Sequence, residues 1–156
     1  MLFPFLLAFK IGVIAGLRSL TAPAAVCFGA QMGWIDLRQS PLAFMGSNIA
    51  CWIFGLLAVG ELIMDKLPFT PSRLAPTGLF TRIVMGGLSG AAFCAARDQS
   101  MVSCVMLGVF GGLAGAFLGY HVRQYVVSRL RVPGLVAALL EDAIAIGGAV
   151  LLVSRS

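Results

Sequence analysis

Arg18, Glu61, Glu141 and Asp142 each stand inside or at the edge of a long apolar run, with Lys10, Ser19 and Thr21 close by. An isolated charge at mid-bilayer costs about 2.5–3.5 kcal/mol on insertion scales. Several such charges would exhaust an ordinary margin of stability unless they pair or meet water. Rise per residue gives their depths. Lys10 lies about 10 Å into the first run and Arg18 about 22 Å, Glu61 roughly 6 Å before the end of the second, and Glu141 and Asp142 about 10–12 Å into the last. The economical arrangement is an interior cluster in which Lys10 and Arg18 face Glu61, Glu141 and Asp142. Glu141 and Asp142 are neighbours about 100° apart on a helix, so one faces the cluster while the other faces elsewhere. Two readings stand. The cluster is a salt-bridge network that fixes helix register, or a polar site for an ion, proton or small solute.

The stretch "AGLRSLTAPAAV" (15–26) bears on that choice. Its parent run, about 3–33, would rise about 45 Å as one helix, against a hydrocarbon core of about 30 Å. Pro23 supplies a break, since its ring cannot donate to the carbonyl four residues back. The expectation is a first span broken or kinked near Pro23, with a re-entrant hairpin as the alternative. The hydroxyls of Ser19 and Thr21 lie beside the freed backbone, and unwound points of this kind line cavities in transporters.

Composition sets the class. Of 156 residues, 60% are apolar and 11% charged, where a soluble domain carries about 25% charged residues. The chain is therefore expected to be an all-α integral membrane protein, one polytopic domain over 1–156. About five transmembrane helices are expected, at 3–33, 41–65, 78–97, 101–122 and 134–153. Arg82 and Arg97 would reach for the two interfaces of the third. The loops after spans two and four hold Lys66, Arg73, Arg82, Arg123, Arg129 and Arg131. By the positive-inside rule that end faces the cytoplasm, with the N-terminus beside it and the C-terminus opposite. The net charge of +5 is spread between apolar segments without a basic, aromatic-interleaved face, which argues against nucleic acid. The four cysteines form no C-x-x-C pair and read as packed thiols, with no disulfide framework and no metal site. No cofactor is implied.

Glycines spaced four apart, such as Gly12/Gly16, Gly86/Gly90 and Gly108/Gly112, let helices approach closely in lipid. "IGVIAGL" (11–17) echoes "LGVFGGL" (107–113). In a five-span chain these would cross in opposite directions, the pattern of inverted-topology repeats. Chance likeness between Gly- and Val-rich helices is the other reading. "DKLPFTPSRLAPTGLFTR" (65–82) contains three prolines, which rule out a regular helix. With Asp65, Lys66, Thr70, Ser72 and Arg73 it reads as a rigid cytoplasmic turn, or as a gate over the acidic cluster. Thr77 is the expected N-cap of the helix that follows.

"AGLRSLTAPAAV", "GELIMDKLPFTPSRLAPTGLFTRIVMGGLSGAA" and "LLEDAIAIGGAVLLV" together resemble the bacterial membrane-protein family of domain of unknown function 4126. The resemblance implies a small multi-span inner-membrane protein and supplies no catalytic residues. A transporter or channel-like permease for an ion or small solute is the first functional reading, working in the lipid bilayer as a homodimer. A non-catalytic scaffold or assembly protein is the alternative. Against an enzyme stand the lone His121 and the lack of a zinc-binding H-E-x-x-H.

Overall fold

The structure is a computed structural model and describes residues 2–66 and 74–156. Among these the elements are helical: α1 (Leu2–Leu17), α2 (Thr21–Gln31), a 3-10 turn (Ala43–Gly46), α3 (Asn48–Met64), α4 (Pro76–Ala95), α5 (Met101–Arg129) and α6 (Gly134–Ser154). Three of them, α4, α5 and α6, are long and apolar enough to cross a membrane, while α1 and α3 are shorter apolar helices. The expectation of five full-length spans is thus met in part, by three long helices and shorter ones.

The first run does break, at residues 18–20 rather than at Pro23. Pro23 sits at the third position of α2, where its missing N–H has no acceptor inside the helix. Proline likewise opens α4, where Pro76 takes the first helical position and Ala75 the cap. Thr77 is therefore inside the helix instead of capping it.

Glycine contacts give the directions of the helices. A Cβ on Gly12 would strike Gly108, one on Gly16 would meet Ala116 and Gly115 at 2.6 Å, and one on Gly111 would come within 2.9 Å of Val13. Numbers rise together along the two helices, so α1 and α5 run parallel. α4 runs antiparallel to both, with Gly86 facing Gly108 and Gly90 facing Cys104. The two echoing segments are therefore side by side in one direction, which is not the relation of an inverted repeat.

α2 turns back. Its Gly29 packs on Val153 near the end of α6, and Ser156 donates to the Trp34 carbonyl. Phe3 at the start of α1 lies under the Arg97 guanidinium, 5.1 Å from the ring centroid. Both arms of the α1–α2 hairpin thus open toward the end of the bundle that carries the 96–100 turn. Its tip, 18–20, points to the end carrying Lys66 and Arg123. The expected parity fails here. The N-terminus lies opposite the basic loops, because the first run doubles back instead of crossing once.

At the α4–α5 turn Cys94 and Cys104 form a disulfide, with Cα atoms 6.2 Å apart, which corrects the reading of all four cysteines as packed thiols. The two residues stand at matching distances from a tight turn between antiparallel helices. Cys27 and Cys51 remain as thiols.

Candidate functional site: a charge string at the hairpin tip

The hairpin tip is where backbone must leave helical geometry inside an apolar bundle, so its polar groups need side-chain partners. Glu61, in the last turn of α3, provides one. Its carboxylate accepts from the Ser19 N–H at 2.9 Å, the Ser19 hydroxyl at 2.6 Å and the Leu20 N–H at 2.8 Å. It acts as an external cap at the positive end of α2. Arg82 serves the other arm, donating from Nε to the Gly16 carbonyl at 3.0 Å and from Nη1 to Gly78 at 3.0 Å. Arg82 is buried, so it does not snorkel to an interface as expected, because the free carbonyls closing α1 attract its guanidinium.

Arg18 is fully buried at the tip. Its Nη1 lies 2.7 Å from Asp65 Oδ2, and its Nη2 pairs with Asp142 Oδ1. Asp65 also meets Arg123 Nη1 at 3.2 Å, and Asp142 meets Lys66 Nζ at 2.8 Å. The result is an alternating string, Arg123–Asp65–Arg18–Asp142–Lys66, that ties α5, the end of α3, the hairpin tip and α6 together. Lys66 further donates to the Leu62 carbonyl at 3.1 Å, which anchors it to its own helix.

The structure therefore brings Arg18, Ser19, Glu61, Asp65, Lys66 and Asp142 together. Glu141 instead turns toward a groove between α5 and α6, beside Arg123. Thr21 is buried, and its hydroxyl has no hydrogen-bond partner among the described residues; the same is true of Arg18 Nε. Thr70, Ser72 and Arg73 lie outside the described residues. Lys10 does not join the cluster. It is exposed, about 12 Å along α1 from Arg18. Arg82 and Arg123 were absent from the sequence-derived site. Their signal was present: each is an arginine inside an apolar helix, six residues from a helix end. At the opposite end of the bundle Asp36 accepts from the Arg38 backbone N–H and guanidinium, which hold its carboxyl below the usual carboxylate range.

The family model described as Domain of unknown function (DUF4126) matches residues 5–154. The chain belongs to that family. The match takes in the hairpin, the charge string and every helix but the first few residues of α1. No curated protein and no solved structure matches the chain. Among the described residues, no group of three or more His, Cys, Asp or Glu side chains is placed to hold a metal ion.

Proposed function

We propose that this DUF4126 protein is a small inner-membrane permease for an ion or small polar solute, one polytopic domain built around the α1–α2 hairpin. The observation that carries the reading is the tip itself. A half-helix N-terminus points at an acidic side chain at the level of a charge string. Discontinuous helices ending at such a depth are how many transporters form ion and substrate sites. Glu61 fills the anion-binding position at the start of α2. If Glu61 swings away, it frees three donors for an anion, and the released carboxylate is itself a cation ligand. The unpartnered Thr21 hydroxyl and Arg18 Nε support the reading, since buried polar atoms of this kind call for a water or a solute.

The hairpin and α3–α6 suit four crossings plus one re-entrant loop rather than five crossings. The basic end faces the cytoplasm by the positive-inside rule, and the disulfide end then faces an oxidising compartment, where disulfides persist. Both termini lie on that outer side. One protomer encloses little volume, so the working unit is a homodimer. In a Cys27→Ala, Cys51→Ser background, Lys66→Cys and Arg131→Cys should react with impermeant thiol reagent only from the cytoplasm. Gln39→Cys and Ser156→Cys should react only from outside. The reverse pattern would overturn the orientation.

The complete burial of Arg18 between two aspartates favours a second reading, a membrane scaffold whose charges only set register. Flux separates the two. Sealed vesicles carrying wild type, Glu61→Gln and, as a control far from the tip, Asp36→Asn are loaded with proton, alkali-cation and small-anion indicators. Glu61→Gln should fold and lose most of the flux, while Asp36→Asn keeps it. A wild type that moves none of these solutes, or a fully active Glu61→Gln, leaves the scaffold reading standing instead.

A further inference from the structure

Toward the basic end α5 and α6 stand apart and leave a groove of about 310 Å³ that opens sideways. Its walls are Leu118, Val122 and Val126 of α5 and Leu140 and Ile144 of α6, with Leu17 of α1 as the floor. Arg123 and Glu141 are the charged groups in the lining among the described residues. We propose that this groove binds an anionic phospholipid from the leaflet at the basic end, one acyl chain lying along α5 and α6 and the phosphate meeting Arg129 and Arg131.

Register places the first contact. Gly119, Val122 and Val126 line the groove on one face of α5, and on that spacing Arg129 is the next residue of the same stripe. Depth agrees. The 29 residues of α5 rise about 43 Å, equal to a bilayer of about 40–45 Å with its headgroups. Arg129 then ends at headgroup level, and Arg123, about 9 Å further in, marks the hydrocarbon boundary. A chain entering past Arg129 meets Val126 first and then Val122 and Leu118 of the apolar lining.

Charge makes the occupant anionic. Arg18, Arg123 and Lys66 each pair with Asp65, Asp142 or both. Arg129 and Arg131 are exposed and make no ion pair among the described residues. Arg131 also sits in the left-handed region, at φ 51°, in the turn that closes α5. That position favours glycine, so an arginine there accepts backbone strain while standing exposed two residues past Arg129. Basic pockets between helices on the cytoplasmic side are suited to anionic headgroups. Glu141 is level with Arg123 rather than Arg129, which leaves the phosphate position facing cations.

The test uses the whole protein in detergent, titrated with phosphatidylglycerol or with phosphatidylcholine of the same chains, and read by native mass spectrometry and by melting temperature. Phosphatidylglycerol should bind and raise the melting temperature more than phosphatidylcholine does. Arg129→Gln and Arg131→Gln should each weaken phosphatidylglycerol binding about fivefold. Val126→Trp, which fills the groove, should abolish the shift, and Arg38→Gln at the far end should leave it intact. Equal effects of the two lipids, or wild-type binding by the double arginine variant, overturn the proposal. So does disulfide cross-linking of Val126→Cys between two copies, which would assign the groove to a partner protomer. If Val126→Trp does not fold, the exposed arginine variants decide the matter alone.

Discussion

Arg18→Ala should be among the most damaging single substitutions in the chain. The guanidinium is wholly buried and touches both Asp65 and Asp142. Removing it leaves two carboxylates that meet Arg123 and Lys66 only at the more exposed rim of the cluster. Breaking a buried pair by deleting one partner typically costs about 3–5 kcal/mol, a large part of a net stability of about 5–15 kcal/mol. The expected result is a loss of folded, monodisperse protein on size-exclusion in detergent, or a much lower melting temperature. Arg18→Lys should fall between, since an ammonium cannot span two carboxylates as a guanidinium fork does. The double variant Arg18→Ala with Asp142→Asn should recover part of the loss, because one stranded charge is gone. An Arg18→Ala protein that melts with the wild type would show that the string contributes nothing to stability.

The same residue shows what a sequence can and cannot disclose here. A charge in an apolar run has to be buried against partners whatever the topology, so Arg18, Glu61 and Asp142 were legible from depth alone. Asp65 and Lys66 were legible as residues but not as partners. The sequence sets them in the proline-rich turn after the second span, whereas each reaches across to a different helix, Asp65 to α5 and Lys66 to α6. Lys10 was misplaced for one reason, which also misplaced the N-terminus. Hydropathy has no direction, so a run of 30 apolar residues reads alike whether it crosses once or doubles back. The length excess and Pro23 announced a break; only packing decides that α2 returns along α3 and α6. The disulfide was hidden because a spacing of ten residues carries no signal until a turn folds Cys94 onto Cys104. The glycine spacing announces close packing, which the structure has; of the two readings of the 11–17 and 107–113 echo, inverted symmetry fails because the two segments run parallel.

That packing leads to the second large effect, at Gly108. α1, α4 and α5 meet there with backbone against backbone. A Cβ on Gly12 or on Gly86 would strike the Gly108 carbonyl, the latter at 2.6 Å, and one on Gly90 would come within 3.0 Å of the Gly108 Cα. A Cβ on Gly108 itself would run into the Gly86 carbonyl and reach 3.2 Å from the Gly87 Cα. The obstructing atoms are main chain in helices pinned on several sides, so no rotamer change relieves them. Overpacking in an ordinary core costs about 1–3 kcal/mol. Gly108→Ala should reach the upper part of that range and Gly108→Leu should exceed it, prising α4 from α5 and preventing assembly. Without a large apolar driving force between helices in lipid, this close approach is a principal source of their attraction. Gly147 on α6 provides the contrast. A Cβ there meets nothing within 4 Å, and alanine is the better helix former by about 1 kcal/mol. Gly147→Ala should therefore be neutral or mildly stabilising in a thermal melt. Equal tolerance at Gly108 and Gly147 would mean that α1, α4 and α5 are not held by their glycine faces.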